Sequence, residues 1–319
     1  MKRQNKHSGI AIALAWPRTF CKQPGGWYDP LCHLLGISYR HYYRVGHAAV
    51  VLVNGQDGRC LYFDFGRYIA PMYCGRVRSA KTDHRLKIKT TAKVSYNPLK
   101  LLNYNDILME LRGNTDCHGE GPMCGSYCSV NFHSALECAQ KMQQKSPLPY
   151  GPFIWNGTNC SRFVRTVILA GKPGLIHRVK LNFLLPVTPR PTDNINSLQH
   201  PIVLPEVGGK KLFGPPTVKN KKMLKKTLPQ PTKFAGIPDE AQWLSGEGSG
   251  SWFYIQSIEE GYLILRYDTE GQLECSGIFE LNGEVEFTID AEFNFAHMSH
   301  CQKVSIQQSG KIYEFIRKE

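Results

Sequence analysis

The sequence predicts an α+β protein, with an antiparallel sheet packed on helices, followed by a small antiparallel all-β unit. Three observations predict it. Strand and helix signals alternate through the first two hundred residues. A proline-, glycine- and lysine-rich stretch then interrupts all periodicity. After it come only short apolar runs separated by hairpin turns.

Taken in order, "GIAIALAW" (9–16) carries Ile10, Ile12 and Leu14 with interleaved alanines, the pattern of a strand covered on both faces. With the basic residues before it, the same run imitates an export signal, but its apolar core is short and the strand is expected. "GHAAVVLV" (46–53) reads as a buried strand, "NGQDG" as a turn, and "RCLYFDFGRY" (59–68) as the returning strand. "HRLKIKTTAKV" (84–94) alternates as a half-buried strand does, and Asn97 with Pro98 reads as the start of a helix through "LKLLNYNDILMELRG". "NFHSALECAQKM" (131–142) places Phe132, Ala135, Leu136, Ala139 and Met142 on one helical face.

Residues 205–235, "PEVGGKKLFGPPTVKNKKMLKKTLPQPTKFA", read as a basic linker between a first domain at 1–204 and a second at 236–319. In the second, "SWFYIQSI", "GYLILRY", "QLECSGIFEL", "EVEFTIDAEFNF", "QKVSIQQ" and "KIYEFIR" are strands at hairpin spacing. The net charge of +13 is unevenly spread. Residues 236–319 carry about −10 and the remainder about +23, so the β domain is expected to dock on the first domain. The lysines of the linker lack the aromatic and arginine interleaving of a base-stacking surface, and nucleic acid is not expected as a partner. No window nears the roughly 18 apolar residues of a membrane span, so no membrane is expected either. The eleven cysteines are odd in number in a chain too long to need disulfide staples. That predicts reduced thiols and a cytoplasmic location, with export as the alternative.

The most specific signal is "YGPFIWNGTNCSRFVRTVILAG" (150–171). Phe163, Val164, Val167, Ile168 and Leu169 recur at helical spacing, Asn159 can cap the start, and Gly171 with Pro173 ends the run. Cys160 therefore opens the helix. Free N–H groups and the positive dipole end lower a thiol pKa there, and the same N–H groups can hold an oxyanion. A buried cysteine that merely fills space would look the same, so a base is needed. His47, at the start of a buried strand beside Gly46, is the leading candidate. Asp64, in the otherwise aromatic "LYFDFG", shares a face with Tyr62 and could hold the imidazole if the two strands pair. Trp16, Trp27 and Tyr28 are aromatic candidates for the cleft.

A strand-initial Gly-His, a polar residue on the next strand, and Asn-Cys opening an apolar helix together resemble the papain-like NlpC-type hydrolases in circularly permuted order. Lecithin retinol acyltransferase-like proteins share that order and the Asn-Cys. The resemblance spans about residues 8–190. The whole layout, including "GIPDEAQWLSGEGSGSWF" (236–253), is also similar to a two-domain bacterial family. The resemblance implies Cys160 as nucleophile, His47 as base and Asp64 as orienter, with Tyr62 and His84 as substitutes for the last. It implies a thiol hydrolase of amide or ester bonds, with an acyltransferase as the alternative; no cofactor and no metal are expected.

Two rivals compete. Cys117, His118, Cys124, Cys128, His133 and Cys138 are zinc-type residues, but without a Cys-x-x-Cys knuckle. Trp243, Trp252, Phe253 and Tyr254 could line the groove of a non-catalytic binding protein, although strand aromatics are more often core.

Overall fold

The computed structural model describes residues 7–22, 29–34, 36, 38–39, 42–96, 98–117, 119–151, 154, 156–206, 226–283 and 287–318. Trp27, Tyr28, His118 and most of the 205–235 stretch lie outside them. The protein is α+β, built on two seven-stranded sheets.

The first sheet is antiparallel throughout its described ladders. Its order is Leu148–Pro149, Cys74–Ser79, Cys60–Gly66, His47–Asn54, Gly9–Trp16, Met123–Val130 and Gln199–Leu204. Gly9–Trp16 lies in its interior, beside the middle strand His47–Asn54, and is buried along its whole length, as the apolar letters on both of its faces require. The two faces differ in size for a reason. Ala11, Ala13, Ala48 and Val50 turn toward the helices Phe132–Gln144 and Cys160–Ala170, where small side chains allow close approach. Ile10, Ile12, Leu14, Val51 and Val53 turn the other way, onto Tyr104, Ile107, Leu108 and Leu111 of the helix Tyr104–Gly113.

Three local expectations are corrected. His84–Leu86 is a 3-10 turn, and residues 87–93 form no strand. The reason lies in their backbone partners: Lys89 and Thr90 N–H donate to the Glu110 carboxylate at 2.6 and 2.8 Å, and Lys93 N–H to Asn103 at 2.7 Å. Side chains have taken the place of a neighbouring strand. Val94–Tyr96 and Leu99–Leu101 pair as a hairpin, so the helix expected from Asn97–Pro98 starts instead at Tyr104, after Asn103. Within "EVEFTIDAEFNF", residues 284–286 lie outside the described set, residues 287–293 form no strand, and pairing begins at Asn294.

The second sheet runs Gln242–Ser245, Gly250–Ile258, Gly261–Tyr267, Leu273–Leu281, Lys311–Arg317, Lys303–Gln308 and Asn294–His300. Its two edges curl toward each other. The Gln242 amide donates to Phe293 O at 2.9 Å and accepts from Phe295 N at 3.1 Å, giving a nearly closed barrel. Trp252 and Phe253 are core residues rather than a groove. The described end of the 205–235 stretch packs on this sheet: Leu228 O accepts from Trp243 Nε1 and Ser245 Oγ, and the Lys233 ammonium lies 4.9 Å from the Trp252 ring centre.

The two units touch through two buried ion pairs and one half-buried one. Arg67 donates to Glu247 at 2.6 Å, Arg266 to Asp83 at 2.9 Å, and Arg85 to Asp268 at 2.9 Å. Gly246 makes the first contact possible, because a Cβ there would fall 1.5 Å from Tyr68 O.

The helix that starts at Cys160 is held by burial of Phe163, Val164, Val167 and Ile168, none of which has any solvent exposure. Phe163→Ala should therefore lower stability by about 3–5 kcal/mol, read as a shifted urea midpoint with an unchanged slope.

Candidate functional site

Two chain ends of secondary structure meet at the site. His47 begins its strand after Gly46, whose φ of +77° and close approach to Trp16 O (2.9 Å from a would-be Cβ) exclude a side chain. Cys160 begins its helix after Asn159, whose side chain accepts from Arg162 N–H at 2.9 Å and so caps it. Cys160 thus opens its helix beside His47, whose ring acts on the thiol, and the Ser161 hydroxyl lies 4.0 Å from the sulfur.

Ala49 lies directly opposite Asp64 in the sheet, which makes Asp64 the diagonal neighbour of His47 on the same face. His47 Nε2 meets Asp64 Oδ2 at 3.2 Å. With Nε2 so engaged, Nδ1 is the nitrogen available to the sulfur. Trp16 covers the ring, its centroid 5.9 Å away.

Asp64 has no solvent exposure and is held on all sides. Arg78 donates to both oxygens at 3.0 and 2.7 Å, Tyr68 at 2.6 Å and Tyr62 at 3.1 Å. The Arg78 guanidinium stacks 3.6 Å from the centre of the Tyr68 ring. Burial opposes ionisation of Asp64, but the Arg78 charge and the His47 and Arg78 hydrogen bonds outweigh it, holding the carboxyl well below its usual range. Burial likewise disfavours the His47 cation, yet hydrogen bonds to Asp64 and Cys160 push it up to about 9. For Cys160, burial would raise the thiol, and the hydrogen bond and charge of His47 reverse the sign, lowering it. Burial raises both tyrosines and keeps them protonated donors.

Of the sequence candidates, Cys160, His47 and Asp64 converge, and Tyr62 joins them as a donor to Asp64. His84 does not; it lies against the second sheet. Arg78 and Tyr68 escaped the sequence reading. The signal for Arg78 was "CGRVRS", two arginines at strand spacing, whose inward face becomes plain only once Asp64 pairs with Arg78. Tyr150, whose hydroxyl pKa is pushed up by burial and the nearby Cys160, stacks on Phe65 at 5.5 Å and carries Arg67 5.0 Å from its ring centre. Through Arg67, Glu247 of the second unit is linked to this wall of the site.

Asp64→Asn should lower stability by about 3–5 kcal/mol at neutral pH, because it leaves Arg78 buried without its counter-charge. A carboxyl with a lowered native pKa contributes stability above its unfolded value and loses it as pH falls. The gap between variant and wild type in urea unfolding should therefore be widest between about pH 4 and pH 6, narrowing below that window as the carboxyl takes its proton and above it as the His47 cation held by Asp64 is lost toward about 9.

Comparison with known proteins places this geometry in context. Residues 11–174 match the family model described as type VI secretion system effector TseH-like, and residues 241–318 match the DUF6695 C-terminal domain. Among solved structures, the crystal structure of the type VI secretion system effector TseH aligns with a TM-score of 0.40 and 17% identity, over 63% of this chain and 100% of that one. No curated protein sequence matches the chain. The first match spans half of the chain, and the protein belongs to the type VI secretion system effector TseH-like family.

Proposed function

We propose that this protein is a thiol hydrolase on a permuted papain-like scaffold, cleaving an amide or ester bond as a secreted effector. The observation that carries the reading is the convergence of Cys160, His47 and Asp64 in one buried site, two of them at the ends of their elements where backbone N–H groups are free. The family description supports an effector role and, with it, the export alternative over a cytoplasmic one.

The steps follow from the geometry. Cys160 and His47 exist as a thiolate–imidazolium pair. The sulfur attacks the substrate carbonyl, and the N–H groups at the start of the Cys160–Ala170 helix, where the dipole is positive, receive the oxyanion. His47 passes its proton to the leaving amine or alcohol as the thioester forms. It then takes a proton from water, which releases the acid and restores the thiolate. Asp64, clamped by Arg78, Tyr68 and Tyr62, fixes the ring so that its Nδ1 faces the sulfur throughout. An amine or hydroxyl acceptor in place of water would make the same site an acyltransferase, and product analysis with added nucleophile separates the two.

Alkylation by iodoacetamide over a pH series, with peptide mapping, tests the pair. Cys160 should label well below the ordinary thiol range while Cys60, Cys117 and Cys128, whose thiols burial raises, do not. His47→Ala should move its labelling to the ordinary range and lower hydrolysis by about 10³-fold or more. Labelling of Cys160 that follows the other thiols, in a folded protein, would overturn the reading.

A further inference from the structure

The cysteine-rich segment 117–138 does not converge on a metal-type cluster among the described residues, but a different set does. His84, Cys275 and Cys301 bring one ligand atom each to within 4.8 Å of one another. They come from three places in the chain. His84 opens the 3-10 turn of the first unit, Cys275 lies on the Leu273–Leu281 strand, and Cys301 sits in the turn after Asn294–His300. Both cysteines are buried and His84 is half-buried.

The three are held in place from both sides. Cys301 N–H donates to Thr82 O at 3.0 Å, Asp83 accepts from Arg266 at 2.9 Å, and Arg85 donates to Asp268 at 2.9 Å. Every residue from 82 to 85 except His84 thus makes a bond to the second unit. The His84 ring makes no hydrogen bond among the described residues, an unusual condition for an imidazole pressed against two thiols. Arg317 Nη1 donates to Cys275 Sγ at 3.5 Å, which fixes the position of that sulfur.

We propose that His84, Cys275 and Cys301 bind a zinc ion that clamps the second unit to the first. Thiolate and imidazole are the ligand types zinc prefers, and three protein ligands leave one tetrahedral position for water. Binding displaces the two thiol protons to solvent, so the ion's two positive charges are balanced by two thiolates. The Arg317 hydrogen bond then acts on a ligand sulfur from outside the metal shell.

The test is metal analysis of the full chain, reduced, loaded with zinc and desalted. About one zinc per chain should remain. It should persist in Cys160→Ser and fall at least tenfold in His84→Asn and Cys275→Ser. Cobalt loading of the wild type gives a readout independent of any variant's folding, as thiolate-to-metal charge-transfer absorption in the near ultraviolet. Loss of the zinc on desalting, or a cobalt spectrum without thiolate bands, would overturn the proposal. So would a Cys275–Cys301 disulfide, with no bound metal, in protein isolated without reductant.

Discussion

The buried carboxylate of Asp64 is the constraint on which the site depends. A charge without solvent is stable only when it is paired and hydrogen-bonded, and this one is held by Arg78 on both oxygens and by Tyr68, Tyr62 and His47 on Oδ2. Those partners come from the same strand, the strand beside it on each side, and the turn that follows it. Satisfying Asp64 therefore fixes the register of three strands and the orientation of the imidazole at once. The Asp64 hydrogen bond helps raise the His47 pKa, and His47 in turn lowers that of Cys160.

The packing explains why the sulfur arrives where the ring is. Alanines on one face of the central strands let the Cys160–Ala170 helix lie close, and its apolar stripe leaves it one way to dock. The Asn159 cap then decides where the helix begins. The second unit closes on the other side of the Arg67–Tyr68 segment through Gly246 and Glu247. Arg67–Glu247 and Arg266–Asp83 are buried ion pairs, which salt screens far less than exposed ones, so the contact does not rest on the net charge imbalance of the chain.

Much of this was legible in the sequence where local rules decide. The central strand, the thiol helix and the hairpins of the second sheet follow from periodicity and turn chemistry. Cys160 and His47 were found because both stand at the starts of elements, and Asp64 because an acid in an aromatic strand needs a partner. What stayed hidden depended on register or distance. Arg78 required knowing which residue lies opposite Asp64, and His84 required knowing which turns of the second sheet it meets. The 84–94 segment misled because its alternation was that of a strand while its N–H groups are taken by Glu110 and Asn103.

The central claim is that a buried carboxylate holds His47 as a cation beside an ionised sulfur. Imidazole nitrogen shifts of His47, followed by NMR through a pH titration of the intact protein, measure it directly. The account predicts a ring protonated at neutral pH that loses its proton only near pH 9, and at lower pH in Cys160→Ala, where the thiolate is gone. A His47 ring that is neutral at pH 7 in the wild-type protein would contradict it.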